Sequence, residues 1–309
     1  MIYAITLSPI LNRTIDVEEI IYDDCNEVVE GRSRPEGRGI DVSRVIKEIG
    51  GQSIALGFIG GYSGLELEGR LINEGIVCDF IRINDEVRTK TIIYQRKKNL
   101  QTLLCTARPE VKSFEISAFY NKIKEIPTDS YVVLSGAIPR GISDNFFAQV
   151  TTTLREKGVK VILDADEEIL KRGVNAGPYL IKPNIHEFGR LIGKNIADAD
   201  MEEVFHEAKP YLGLVEYIAV SAGPRGVAGV SKEGSYLVIP PKVKVRSSIG
   251  AGDSLVAGIV FVLSEGGRFE EALAMGVACG TASTLNSGGG LCIKEDIETI
   301  KKDIIIKKF

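Results

Sequence analysis

The chain has 309 residues, of which 44% are hydrophobic and 26% are charged, and this composition excludes an intrinsically disordered protein. Its 38 Lys and Arg residues are offset by 42 Asp and Glu residues, a net charge of −4, so we expect no broad nucleic-acid-binding surface. Five cysteines without a C-x-x-C pair and only two histidines argue against a disulfide framework or a His-rich metal centre. We expect neither a signal peptide nor a membrane-spanning helix, because no basic stretch precedes the first apolar segment and the apolar runs are short. We therefore expect a cytoplasmic protein that does not enter the membrane.

Short β-rich runs alternate with amphipathic runs along most of the chain. In order they are IYAITL, VSRVIKEIG, SIALGFIG, LELEGRLINEG, YVVLSG, ISDNFFAQVTTTLREKG, VKVILD, YLIKPN, HEFGRLIG and YIAVS. This βαβα order predicts an α/β fold with a doubly wound, mostly parallel sheet flanked by helices. Length allows one or two domains, and we expect a single domain over residues 1–309, as the family resemblance described below implies. Sheets of this kind bind ligands at the carboxyl ends of their strands.

Two stretches interrupt that alternation. Residues 12–33 and 88–107 have the pattern of strands and hairpins with no helix between them. We expect them to meet in space as a small β-sheet lid. The alternative is that they are two independent excursions from the edge of the main sheet.

The segment Ser247-Ser248-Ile249-Gly250-Ala251-Gly252-Asp253-Ser254 precedes an apolar helix. Small residues at Gly250, Ala251 and Gly252 allow backbone N–H groups to converge on an anion, and the positive end of the helix adds to the attraction. Asp253 at the mouth of such a phosphate site suits a base that takes a proton from an incoming hydroxyl. Helix capping by Asp253 and a plain glycine turn remain the structural alternative.

Three further clusters are candidates for parts of the same ligand site. Asn184 and Glu187 lie one helical turn apart after the strand YLI, which suits water and Mg²⁺ around phosphates, although a simple helix start has the same pattern. The run Ser221-Ala222-Gly223-Pro224-Arg225-Gly226 after YIAV offers backbone contacts to a nucleotide or is merely a turn. The run Glu36-Gly37-Arg38-Gly39-Ile40-Asp41 suits a sugar or sugar phosphate, or is a glycine turn with solvated charges.

Taken together, these motifs resemble those of the ribokinase-like, PfkB-type carbohydrate kinases, most closely the 1-phosphofructokinase and tagatose-6-phosphate kinase branch. The resemblance covers essentially the whole chain, and its landmarks here are TLSPILNRTI, GRGIDVSRVIKEIGG, GFIGG, LSGAIPRG, LIKPNIHEFGRLIG, AVSAGPRGVAGV and SSIGAGDSLVAG. It implies a large α/β domain with a β lid over the sugar, and transfer of the γ-phosphoryl group of ATP, with Mg²⁺, to a hydroxyl of a ketohexose phosphate. A homodimer formed through the lid is a further expectation.

The same resemblance assigns site residues. It implies that Asp253 is the catalytic base and that Gly250, Ala251 and Gly252 form the anion hole. On the ATP side it implies Lys182, Asn184, Glu187, Ser221, Gly223, Gly226 and Asn286, with Asn286 in the helix that borders the adenine and Glu187 near Mg²⁺, through water or phosphate. On the sugar side it implies Asn12, Gly37, Arg38, Gly39, Asp41, Arg88 and Lys90.

The sugar side departs from the family pattern. Asn12 stands where the family has an aspartate, and Asp41 stands where it has an asparagine, so the carboxylate changes sides while the net charge is kept. This exchange predicts that Asn12→Asp alone weakens binding and that Asn12→Asp with Asp41→Asn is tolerated. Arg38 and Lys90 still supply two cations, which favours a phosphorylated sugar, whereas Glu36 opposes that choice.

Proteins with other functions would have some of the same motifs. A kinase of a neutral sugar or nucleoside would use the same ATP side, and a catalytically silent ATP- and sugar-binding sensor would need no Asp253. An NAD-dependent oxidoreductase would require a G-x-G-x-x-G turn after the first strand, where this chain has Ser8-Pro9-Ile10-Leu11-Asn12.

Overall fold

The computed structural model describes residues 1–286 and 290–309. Its strands are β1 (Ile2–Thr6), β2 (Ile10–Val17), β3 (Glu30–Glu36), β4 (Ser53–Ile59), β5 (Val77–Cys78), β6 (Ile81–Arg82), β7 (Arg88–Gln95), β8 (Leu100–Cys105), β9 (Tyr131–Ser135), β10 (Lys160–Asp164), β11 (Leu180–Ile181), β12 (Tyr217–Ser221), β13 (Val227–Ser231), β14 (Gly234–Ile239) and β15 (Ile305–Lys308). Its α-helices are α1 (Arg38–Glu48), α2 (Gly61–Asn73), α3 (Ser113–Glu125), α4 (Phe146–Glu156), α5 (Glu167–Asn175), α6 (Ile185–Ile192), α7 (Met201–Ala208), α8 (Ala251–Ser264), α9 (Phe269–Ser283) and α10 (Lys294–Lys301).

Over the described residues, the main sheet has 11 strands in the order β15-β14-β13-β12-β11-β10-β9-β1-β4-β5, with β6 also paired to β4. Neighbours from β12 through β5 run parallel, and β12 to β15 form an antiparallel edge. The central strands are continuous apolar runs because helices cover both of their faces. The predicted α/β class with a mostly parallel sheet is confirmed.

Alternate residues of each strand enter different hydrophobic layers. Ile5, Leu134 and Leu163 pack with side chains of α3 to α7 on one face. Their neighbours Ala4 and Val133 pack with α1, α8, α9 and α10 on the other. This alternation follows from the two-residue period of a strand, and it produces the doubly wound, three-layer arrangement that the sequence predicts.

The small sheet combines four strands in the order β3-β2-β7-β8. Strand β2 pairs with β7 in parallel, so residues 12–33 and 88–107 do meet in one sheet, and Asn12 lies opposite Lys90. Leu11 belongs to a buried cluster with Ile40 and Leu67, which fixes the base of this sheet on α1 and α2. We call the four-stranded sheet the lid; that it closes over a substrate stays a prediction.

The helices of the described ranges are of ordinary globular length. The longest, α9, has 15 residues, and none is long and apolar enough to cross a membrane. All five cysteines are free thiols.

Candidate active site

Adjacent parallel strands deliver polar residues to one edge of the main sheet. Strand β10 ends at Asp164, β11 leads directly into Lys182, and β12 ends at Ser221. A backbone bridge joins Asn184 to Ser221. The carboxyl ends of parallel strands therefore collect the residues that the sequence predicts for a ligand site.

Residues 250–252 lie at the start of α8; we call them the anion cradle, and that they bind an anion stays a prediction. Gly250 has φ +81°, a left-handed conformation that favours glycine, and it is the residue from which the 14-residue helix starts. The first turn of a helix presents N–H groups that lack helical partners, together with the positive end of the helix dipole. A Cβ added at Gly252 would lie 3.7 Å from the Lys182 ammonium, so a cation reaches the same place. These features fit the phosphates of a nucleotide.

Lys182 is held by a buried ion pair. Its Nζ lies 3.1 Å from Asp164 Oδ1, and both side chains are about 95% buried. Burial opposes the charge, but the carboxylates of Asp164 and Glu187 outweigh it and raise the pKa of Lys182. The ammonium therefore remains charged beside the cradle.

Asp253 occupies the first turn of α8 without capping it. The helix starts from Gly250 with no side-chain cap, and no described residue donates a hydrogen bond to the Asp253 carboxylate. Burial, with Asp164 and Asp41 nearby, raises the pKa of Asp253 to about 8, against the opposing charges of Arg38 and Lys182. A carboxyl group with a pKa in this range is matched to accepting a proton near neutral pH.

Asn184 and Glu187 form a capping box at the start of α6. Asn184 Oδ1 accepts hydrogen bonds from the N–H groups of His186 and Glu187 at 2.9 Å, and Glu187 Oε2 accepts one from the Asn184 N–H at 2.8 Å. The helix start that the sequence allowed as an alternative is therefore present. It leaves one Glu187 oxygen for other partners.

The Glu187 carboxyl also interacts with the carboxyl of Asp166 through a side-chain hydrogen bond. Burial raises the pKa of Glu187, whereas a hydrogen bond from Glu187 and the charge of Arg38 keep the pKa of Asp166 low. Oxygen ligands of this kind suit a hard divalent cation. Across residues 1–286 and 290–309, no group of three or more His, Cys, Asp or Glu side chains is arranged to hold a metal ion.

The residues expected on the nucleotide side lie in loops at the same edge. Gly223 and Gly226 have φ of +56° and +97°, so the turn after β12 depends on glycine. The expectation that Asn286 lies within a helix is wrong: α9 ends at Ser283, and Asn286 Nδ2 donates a hydrogen bond to the Leu291 carbonyl at 2.8 Å. This hydrogen bond joins residues 286 and 291.

On the sugar side, Glu36 is the residue that contacts the other polar side chains. From the sequence, its charge is expected only to oppose the binding of a phosphorylated sugar. Asn12 Nδ2 donates a hydrogen bond to Glu36 Oε1 at 2.5 Å, and Lys90 Nζ lies 3.8 Å from Glu36 Oε2. Asn12 Oδ1 is buried without a partner among the described residues. The polar centre of the lid face is therefore an amide, a carboxylate and an ammonium in contact.

The second predicted cation is also paired. Arg38 donates to both oxygens of Asp166, at 2.9 and 3.3 Å. Lys90 and Arg38 are thus each paired with a carboxylate, and their recognition of a phosphorylated sugar stays a prediction. The Arg88 Nε donates to the Thr106 carbonyl at 3.3 Å.

Asp41 does not contact Asn12. Its Oδ1 accepts a hydrogen bond from Arg44 Nη1 at 3.0 Å and lies 3.8 Å from Arg34 Nη2. Burial raises the pKa of Asp41, with the two arginines opposing that rise. Asn12 and Asp41 therefore have different hydrogen-bond partners, although the charge of Glu36 acts on both positions.

Glycines bring α1 close to β1. A Cβ at Gly39 would lie 2.7 Å from Thr6 Oγ1 and 2.8 Å from the Ile5 carbonyl, and one at Gly37 would lie 2.6 Å from Thr6 Cγ2. The Thr6 Oγ1 accepts a hydrogen bond from the Ile40 N–H at 3.1 Å. These contacts set the start of α1, and with it Arg38 and Asp41, against the carboxyl end of the sheet.

The acidic partners of Lys182 and Arg38 were not identified from the sequence. Asp164 and Asp166 belong to L-D-A-D at the end of a strand already predicted to reach the ligand edge, which is a signal that could have identified them. Arg44 gave no comparable signal because its spacing is that of a solvated helix face.

Comparisons with known proteins agree with this geometry. The family model described as pfkB family carbohydrate kinase matches residues 3–296. The chain is 31% identical to 1-phosphofructokinase of Borreliella burgdorferi, covering 96% of this chain and 95% of that protein. It is 29% identical to tagatose-6-phosphate kinase of Staphylococcus epidermidis, covering 100% and 98%. The structure of phosphofructokinase-2 from Escherichia coli in complex with fructose-6-phosphate matches with a TM-score of 0.86, 28% identity and 98% coverage of both chains, and that protein has also been solved in a tetrameric form.

Proposed function

Because this chain belongs to the pfkB family of carbohydrate kinases, we propose that it is an ATP-dependent kinase that phosphorylates a hydroxyl of a ketohexose phosphate. The observation that carries the proposal is Asp253 at the mouth of the anion cradle, where its pKa is raised to about 8 and Lys182 lies close by. A protein that only bound nucleotide would have no use for a carboxylate beside a phosphate site.

The roles of the residues follow from charge and position. Asp253 takes the proton of the attacking hydroxyl, and the cradle at Gly250–Gly252 stabilises the charge that develops on the transferred phosphoryl group. Lys182 adds a fixed positive charge to the same region, and its buried pair with Asp164 keeps it from swinging into solvent. Catalysis of this kind rests on positioning and electrostatic stabilisation.

ATP and Mg²⁺ belong to the proposal. Asp166 and Glu187 would hold the cation through water or phosphate oxygens, and the loops with Ser221, Gly223, Gly226 and Asn286 would border the nucleotide. When bound, the cation neutralises phosphate charge and helps to align the transferred group.

The sugar phosphate is supported by the relatives named above and by the cations around the lid. Arg38 and Lys90 would have to exchange Asp166 and Glu36 for a substrate phosphate. Because each cation already has a carboxylate partner, a kinase of a neutral sugar or nucleoside is the second candidate. Both candidates share the same base and cradle.

An ADP-release assay with Mg-ATP tests the proposal. The acceptors are fructose 1-phosphate, fructose 6-phosphate, tagatose 6-phosphate, their unphosphorylated sugars and nucleosides, each with the wild type and Asp253→Asn. Turnover on one phosphorylated ketose that falls by at least about 10³-fold in the variant supports the proposal. Turnover only on neutral acceptors moves the second candidate to first place, and ATP binding without turnover on any acceptor contradicts both.

We also propose a cytoplasmic location, as for a metabolic enzyme, and a homodimer formed through the lid, for which the exposed strand β8 is the support. Every residue of β8 is exposed, including Leu100, Leu103 and Leu104, each more than half exposed. An apolar edge strand of this length is stabilised by a partner. Sedimentation should show a dimer for the wild type and a monomer for Leu103→Lys. A wild-type monomer would refute this part.

A further inference from the structure

A cleft of about 520 Å³ lies at the base of the lid, away from the anion cradle. Arg13 pairs with Thr91 across β2 and β7, one residue beyond the pairing of Asn12 with Lys90. Because side chains alternate along a strand, Arg13 and Thr91 project to the face opposite Asn12 and Lys90. The cleft is thus separated from the sugar side by the thickness of the lid.

Three arginines line this cleft from three parts of the chain. Arg13 comes from β2, Arg108 follows β8, and Arg140 follows β9. Arg13 donates to Glu66 at 2.7 Å, and its Nε is buried without a partner. Within the described ranges, the guanidinium groups of Arg108 and Arg140 have no hydrogen-bond or ion-pair partner. Like charges that line one cleft repel each other, and an anion bound among them would offset that repulsion.

Neutral donors surround these charges. Thr89, Thr91 and Thr106 line the same cleft. The Thr106 hydroxyl accepts a hydrogen bond from the Thr89 N–H at 2.8 Å and lies within hydrogen-bond distance of the Thr89 hydroxyl and carbonyl, so Thr91 supplies the hydroxyl that can donate to an oxyanion without giving up another partner. Hydroxyl and guanidinium groups together match the several acceptor oxygens of a phosphate group.

The two acidic residues of the cleft are already engaged by backbone groups. Asp85 Oδ2 accepts a hydrogen bond from the Glu110 N–H at 2.8 Å, and Glu86 Oε1 accepts one from the Ser63 N–H at 2.9 Å. They fix the loops at the rim, while Arg108 and Arg140 keep their donors. Both carboxylates keep their charge, so the cleft is lined by three cations and two anions, and its unused donors include those of Arg108 and Arg140.

We propose that this cleft binds the phosphate group of a small phosphorylated metabolite, at a site distinct from the catalytic one. The metabolite would contact the lid through Arg13, Thr89 and Thr91 and the main domain through Arg140. Such a ligand joins the lid to the core, so its binding restricts the movement of the lid. The site does not depend on which sugar the enzyme phosphorylates.

Isothermal titration calorimetry of inorganic phosphate into the full-length chain tests this site. Mg²⁺ and a non-hydrolysable ATP analogue are kept saturating, so that the anion cradle is filled and does not bind the probe. We expect one saturable site in the wild type and at least about tenfold weaker binding in Arg108→Ala and in Arg140→Ala, because each removes a charge-assisted hydrogen bond. Arg190→Ala, which removes an exposed arginine of α6, is the matched control and should bind phosphate as the wild type does.

Two further arms separate this site from the catalytic one. Arg108→Lys and Arg140→Lys keep the charge but lose the planar fork, so binding should be intermediate. Phosphate binding should persist when the ketohexose phosphate or neutral acceptor used in the kinase assay is saturating. Absence of saturable binding, unchanged binding in both alanine variants, or competition by that acceptor would each overturn the proposal. Unaltered affinity for the ATP analogue establishes that a variant is folded.

Discussion

The contact between Asn12 and Glu36 can be tested by placing a second carboxylate at position 12. In the wild type, Asn12 Nδ2 donates to Glu36 Oε1 at 2.5 Å. Asn12→Asp replaces that donor with an acceptor of almost the same shape. The variant therefore converts an attraction into a repulsion without a large change in packing.

The expected cost follows from the distance. Two unit charges that relax to about 4 Å repel by about 4 kcal/mol at an effective dielectric constant of about 20. Loss of a hydrogen bond to a charged group adds about 1.5–3 kcal/mol. Glu36 is about one-third exposed, so solvent screens part of this, and we expect the free energy of unfolding to fall by about 2–4 kcal/mol at pH 8.

The cost should depend on pH with a defined sign. Repulsion raises the folded-state pKa of one of the two carboxyl groups above its unfolded value of about 4. The destabilisation is absent below the unfolded pKa and grows as pH rises toward the folded pKa. Urea unfolding should thus show a smaller difference between variant and wild type at pH 5 than at pH 8.

A double-mutant comparison identifies the partner. Glu36→Gly should restore most of the stability lost in Asn12→Asp, because it removes the repelling carboxylate. Asp41→Asn should restore little, because Asp41 is bound by Arg44 and Arg34. Equal rescue by the two second-site changes would refute the reasoning and favour the exchange of charge between positions 12 and 41.

Three other expectations concern the catalytic edge and α1. The raised pKa of Asp253 predicts that kcat/KM increases with pH and levels off near pH 8, measured as a pH–rate profile; a profile flat from pH 6 to 9 contradicts its role as base. Lys182→Met leaves Asp164 buried without its partner and should lower the free energy of unfolding by about 3–5 kcal/mol, much of it recovered in Lys182→Met with Asp164→Asn; no recovery in urea unfolding would argue against the pair. Gly39→Ala forces a Cβ against backbone and should cost about 1–3 kcal/mol, whereas the control Gly69→Ala in open space on α2 should gain about 0.5–1 kcal/mol; equal melting temperatures would contradict the close approach.

The fold could be predicted because its signals are local and repeated. Each central strand is a short apolar run, and an amphipathic helix follows it. The length of the run identifies the strand, the helical period identifies the helix, and the order of these elements predicts the parallel sheet. The glycine at the start of α8 could also be predicted, because small residues before an apolar helix indicate a tight turn into that helix, whereas an anion site there rests on the family resemblance. The family resemblance rests on these same segments.

The charge pairing could not be predicted. Glu36 and Lys90 are separated by more than 50 residues and meet only because β2 brings β3 and β7 together. The pairing of Arg38 with Asp166 likewise depends on how α1 is set against the end of β10. Sequence supplies the charged residues, whereas tertiary contacts decide which of them neutralise each other.

The parallel pairing of β2 with β7 also determines how the lid comes into being. The two strands lie on either side of α1, β4 and α2 in the chain, so the lid is discontinuous in sequence. Pairing β2 with β7 before the intervening βα unit has folded would close a long loop at a high entropic cost. The lid therefore forms late in folding. A discontinuous unit at the rim can also unfold locally while the main sheet persists. Removing the lid in evolution or by design would require two coordinated deletions, since either one alone would leave an unpaired strand exposed.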